Sequence, residues 1–144
     1  MLERRKARHQ ALHILYQREI TDEPLSQILS SRGYSMDDGE PTEFCRQLLL
    51  GIEAHQARID STIEDISENW VLSRMPLVDR SILRLAVFEL LYLDDVPDSV
   101  SINEAVEMAK LYGGEDSSKF VNGILGRLSE VCAAGGSSEV AADE

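Results

Sequence analysis

The sequence predicts an all-α protein of about seven helices. Three observations carry that prediction. Apolar residues recur at spacings of three and four along most of the chain, and nothing alternates with period two for long. Loop stretches rich in Gly, Pro and Asp interrupt the helical pattern. Ten of the twelve residues from Ile82 to Leu93 are apolar, the pattern of a helix surrounded by others.

The first helix spans about Arg4–Ile20. A short second helix starts at Pro24, a favourable first helical position, and ends before Gly33. The loop Gly33–Pro41 is rich in Gly, Asp and Pro. Thr42 caps a third helix that runs to about His55. Ile59, Ile63, Ile66 and Trp70, spaced four, three and four apart, mark one buried stripe of a fourth helix that breaks near Ser73–Pro76. The fifth, about Pro76–Asp94, is the post on which the rest packs. Ser101 and Glu104 form a capping-box pattern that opens the sixth, and Gly113-Gly114 ends it. Asp116 or Ser117 caps the seventh, which reaches about Cys132. Residues 1–132 are expected to form a single domain. The small, polar, acidic stretch 133–144 is expected to be disordered.

The chain has 144 residues and a net charge of −12. Such an acidic protein is a poor general polyanion binder, because non-specific affinity for nucleic acid needs many Lys and Arg near phosphates. The positive charge is local. Residues 1–18 hold five basic residues (Arg4, Arg5, Lys6, Arg8 and Arg18) and one acid, Glu3. Cys45 and Cys132, with no CxxC pattern, read as reduced thiols of a cytoplasmic protein. No apolar run is long and uncharged enough to span a bilayer.

No enzymatic constellation stands out. There is no Walker loop, GxGxxG or GxSxG pattern. His9 and His13 are one helical turn apart, but no third metal ligand is evident. The last helix is more informative. Val121, Ile124, Leu125, Leu128 and Val131 make its core stripe. At about 100° per residue, Phe120 lies roughly 80° from the centre of that stripe, and Lys119 lies on the opposite face. Phe120 is therefore either an edge-of-core residue or a base-stacking platform beside a phosphate-binding lysine. Tyr112 offers a second ring, and backbone amides around Gly113-Gly114 offer donors to a phosphate. On the first helix, Leu12, Tyr16 and Ile20 form a second apolar stripe. It is either a second buried side or a protein-docking strip.

Asp79–Leu93 (DRSILRLAVFELLYL), Asp95-Val96-Pro97, Ile102-Asn103-Glu104-Ala105, Ala109-Lys110, Asp116–Leu125 (DSSKFVNGIL) and the start RRKARHQALHILYQ together resemble the NusB family of bacterial transcription antitermination factors. The resemblance spans about residues 4–131, and is strong over Pro76–Leu128 and weak over Thr21–Ser73. It implies two small helical subdomains packed around a long central helix, and a protein that is no enzyme and needs no cofactor. It also implies a partner, NusE, which is a small-subunit ribosomal protein. The pair would bind single-stranded boxA RNA of ribosomal RNA leaders and join the elongation complex.

Carried over residue by residue, the resemblance places Arg4, Arg5, Lys6, Arg8, Tyr112, Asp116, Lys119 and Phe120 at or near RNA. It places Tyr16 and Asp79 on the partner surface, beside Leu12 of the apolar strip. Asp116 is expected to cap a helix or accept from a base, since a carboxylate repels phosphate. The alternatives are a helical protein adaptor, or the related domain of some ribosomal RNA methyltransferases, which a catalytic domain would have to follow. A homodimer through the Leu12/Tyr16/Ile20 strip also stays open.

Overall fold

The computed structural model describes residues 2–68 and 70–133. The rest of the acidic C-terminal stretch, 134–144, lies outside the described residues. Six α-helices and one 3₁₀ turn are present among them: α1 (Leu2–Thr21), α2 (Leu25–Ser31), α3 (Glu43–Ser67), the 3₁₀ turn Leu72–Arg74, α4 (Leu77–Tyr92), α5 (Asp98–Tyr112) and α6 (Ser117–Val131). Among the described residues, no helix is long and apolar enough to cross a membrane.

Local chemistry explains where the helices start. Pro24, Pro76 and Pro97 each sit at the N-cap with ψ of 144°, 145° and 142°. Their fixed φ and extended ψ turn the chain abruptly into α2, α4 and α5 without a side-chain cap. Thr42 caps α3 as expected, its hydroxyl accepting from the Cys45 amide at 3.1 Å.

The third and fourth helices meet end to end as α3, and non-helical backbone at His55 (φ −121°, ψ 20°) marks the expected boundary between them. The Tyr92 ring of α4 stacks on His55 at this kink, at 4.2 Å. One expectation is corrected: Ser101 does not open α5, which begins three residues earlier at Asp98. Ser101 is buried, and its hydroxyl donates to Glu89 Oε1 at 2.7 Å instead of capping.

Helix α4 is the post. Its residues 81–89 are all buried, and it packs against α1, α3, α5 and α6. One group, α1, α2 and α3, lies to one side and the pair α5 and α6 to the other, each helix touching its group neighbours. The central helix has 16 residues, fewer than the 20 of α1 or the 25 of α3. One hydrophobic cluster draws on all six helices.

Helices α3 and α4 approach closely because Gly51 has no side chain. A Cβ there would lie 2.2 Å from Phe88 Cζ. Phe88 is buried and stacked on Tyr92 at 5.4 Å, so its ring has nowhere to swing.

Buried charge ties α1 to the post. Arg8, 3% exposed, donates twice to Glu89, at 2.8 and 2.9 Å. Glu104 of α5 lies 3.8 Å from the same guanidinium and accepts from Arg5 at 2.9 Å. A second network joins Arg84 of α4 to Asp60 of α3 at 2.9 Å and to Glu19 of α1 at 3.1 Å.

Gly51→Ala should lower stability by about 1–3 kcal/mol through overpacking, although alanine is the better helix former. A thermal melt showing an unchanged or raised Tm would contradict this. Arg8→Ala should cost about 3–5 kcal/mol, because it leaves the Glu89 carboxylate buried and unpaired. Adding Glu89→Gln should recover part of that loss in urea unfolding.

Candidate nucleic-acid interface

The expected RNA residues fall into three groups in space. The first is the start of α1. Arg4 donates to Asp95 at 3.1 Å and lies 4.5 Å over the Phe44 ring. Arg5 is half exposed and held by Glu104. Lys6 is exposed and has no ion pair among the described residues. Arg8 is corrected: it is buried against Glu89 and presents no charge to a ligand. The family resemblance placed it with the RNA residues, but α1 turns its side chain towards α4.

The second group surrounds Tyr112 at the C-terminus of α5. Tyr112 is 36% exposed. Its hydroxyl shares a hydrogen bond with His9 Nδ1 at 2.9 Å, and its ring meets His9 and His13 edge-on at 5.4 and 5.2 Å. His13 in turn pairs with Asp38 of the α2–α3 loop. The two histidines therefore position an aromatic ring. Among the described residues, no cluster of three or more His, Cys, Asp or Glu offers a metal site. Their spacing was visible in the sequence, but its purpose depends on Tyr112, some 100 residues away. Beside this cluster an open groove of about 500 Å³ runs between α1 and α5, lined by Arg5, His9, Asn103, Glu104, Glu107, Lys110 and Leu111.

The third group opens α6. Gly113 ends α5, and a Cβ there would fall 2.6 Å from Ser117 Cβ and 2.8 Å from the Ala109 carbonyl. That close approach lets the Ser117 hydroxyl accept from the Gly114 amide at 2.9 Å and donate to Asp79 Oδ1 at 2.7 Å. Asp116 occupies the N-cap position of α6, but its side chain makes no capping bond and is exposed. Lys119 is exposed on the outer face, and Phe120 is half-buried at the core's edge. The Phe120 ring meets Trp70 edge-on at 5.6 Å. Trp70 is a further correction: it lies past the end of α3 and is 48% exposed, not on the buried stripe.

The expected partner residues divide as well. Asp79 is buried beneath Ser117, whose hydroxyl donates to it, and so it fixes the start of α6. Leu12 is 2% exposed and belongs to the core. Tyr16 and Ile20 are exposed, so the strip is shorter than its periodicity implied.

Burial keeps the Cys45 thiol protonated, its pKa pushed up to about 12. Cys132 is half-buried and also shifted upward, first by burial and then by Asp98.

This fold and surface define a class: an all-helical protein with exposed aromatics and a few local cations on an acidic body. The chain belongs to the NusB family, whose model matches residues 5–130. It is 46% identical to the transcription antitermination protein NusB of Thermobifida fusca, over 88% of this chain and 89% of that one. Among solved structures, NusB of T. maritima superposes with a TM-score of 0.77 at 42% identity, covering 88% of this chain and 90% of that one. A structure of the antitermination factors NusB and NusE in complex with dsRNA matches with a TM-score of 0.74 at 27% identity, covering 91% and 98%.

Burial lowers the His9 pKa below its ordinary 6.5, helped by the neighbouring His13. The folded protein therefore binds fewer protons here than the unfolded chain. This contribution to stability is complete above about pH 6.5 and is lost as pH falls through the depressed folded value. Thermal melts of wild type and His9→Asn should converge as pH is lowered from 7.5 to 5.5. A gap that stays constant with pH would contradict this.

Proposed function

We propose that this chain is a cytoplasmic transcription antitermination factor. In this reading it pairs with NusE and binds boxA-type RNA of ribosomal RNA leader transcripts within the elongation complex. It acts by binding alone and catalyses no reaction. The observation that carries the reading is the opening of α6. There Lys119 is exposed and Phe120 is half-buried at the surface, in a member of a family with a solved NusB–NusE–RNA relative.

The mechanism follows from charge and ring geometry. Phe120 and Tyr112 are the stacking platforms for unpaired bases, and stacking tolerates any base because each has a π-face. Lys119, Lys6, Arg5 and Arg4 supply positive charge. Arg4 and Arg5 already hold Asp95 and Glu104, so a phosphate must compete with those carboxylates. Asp116 suits a hydrogen bond from a base amino group and not a phosphate contact. With so few free cations, RNA binding by this chain alone is weak. NusE, docked over Tyr16 and Ile20, would enlarge the RNA surface. Arg8 and Asp79 contribute indirectly, by holding α1 and α6 in place. Sequence selection then comes from splayed bases read on their edges.

Fluorescence anisotropy tests this with a boxA-like single strand, a scrambled strand and a duplex, each with and without NusE. Selective binding enhanced by NusE is expected. Phe120→Ala should weaken it about tenfold, and Lys119→Glu should weaken it and flatten the salt dependence. The slope of log K against log salt should be shallow, about −0.7 per phosphate contacted. If both variants bind like wild type, a protein-only helical adaptor is the better account.

A further inference from the structure

Trp70 is the largest aromatic surface the chain leaves open. A Trp held half exposed forgoes much of the stabilisation its burial would supply, so its presentation needs a reason. Described residues on both sides of it are tied down. The Ser67 hydroxyl donates to the Trp70 carbonyl at 3.0 Å, and the Leu72 amide donates to Glu64 Oε2 at 2.8 Å. Leu72 and Met75 anchor the following turn in the core. Glu68 adopts φ 60°, ψ −69°, a conformation that non-glycine residues rarely take. The same turn is fastened to α6, where Arg127 Nη1 donates to the Ile66 carbonyl at 2.5 Å and lies 3.4 Å from Glu68. The indole is thus presented on a braced turn beside Phe120, and Val71 next to it is exposed too.

We propose that Trp70 is a further nucleobase platform, beyond Phe120 and Tyr112, holding an unstacked RNA base adjacent to the one on Phe120. This rests on the RNA reading given above. Continuity with Phe120 favours RNA as the occupant over a protein. The patch runs directly into Phe120 and Lys119, and Lys119 has no ion pair among the described residues. The two rings stand at 69° to each other, so one flat base cannot stack on both. They hold two successive bases in different planes. A strand that follows them is splayed there, and a splayed strand exposes base edges for reading.

Trp70 is the only tryptophan of the chain, so its emission reports directly. The experiment titrates the boxA-like strand into the chain with NusE bound, using the Trp70→Phe complex as the blank. RNA should quench Trp70 emission, and inorganic polyphosphate, which has no bases, should not. In anisotropy, Trp70→Ala should weaken RNA binding about tenfold, with Trp70→Phe losing less. If Phe120→Ala weakens binding while Trp70→Ala does not and no quenching occurs, the RNA site stands and the Trp70 platform falls. Quenching by NusE alone, with none added by RNA, makes Trp70 a protein contact and overturns the proposal. If wild type binds no RNA even with NusE, the functional reading itself fails, and this proposal with it.

Discussion

The buried pairing of Arg8 with Glu89 is the constraint on which the rest of the structure depends. Helix α4 is enclosed by four other helices, yet it carries two carboxylates and two arginines among its buried or half-buried residues. A buried charge is tolerable only with a partner of opposite sign in good geometry. Glu89 meets that requirement with two bonds from α1 and one from the Ser101 hydroxyl of α5. Arg84 meets it with Asp60 and Glu19. These pairs hold α1 and α3 at defined rotations about the post. Apolar contacts alone would hold them less specifically, because hydrophobic attraction has no direction.

The same pairing shapes the surface. The basic run that opens α1 is largely paired with the protein's own carboxylates: Arg8 with Glu89 in the interior, Arg5 with Glu104 and Arg4 with Asp95 nearer the surface. Little unpaired positive charge remains, which suits a protein that should not bind every polyanion it meets. What faces outward instead is aromatic. Tyr112 is held by two histidines, and Phe120 is backed by Trp70. Affinity built from stacking depends less on salt than affinity built from phosphate contacts. It also demands rings fixed in place, and the Gly113–Ser117–Asp79 junction and the braced turn at Trp70 provide that.

Much of this was legible in the residues. The helical class, the central post over Ile82–Leu93, the Thr42 cap, the Gly-Gly break and the outward Lys119 all follow from short-range periodicity and turn chemistry. The misreadings share one cause. Ser101 and Glu104 match a capping box, but their side chains were claimed by Glu89 and Arg5 across the helix interface. Trp70 completes a perfect stripe, but α3 ends at Ser67 before the stripe does. Leu12 sits where periodicity allowed a surface role and Arg8 where the family resemblance implied one, and packing buried both.

The sequence by itself determined which segments are helical, where chain breakers end them, and that one of them must lie inside the others. Those outcomes depend on residues a few positions apart, which a periodic pattern records. Only the tertiary structure decided which side chains are spent on the interior and which stay at the surface. That choice turns on pairs such as Arg8 with Glu89, His9 with Tyr112 and Phe120 with Trp70. Their members lie 50 to more than 100 residues apart, and no local pattern links them. They meet only when α4 brings the helices together.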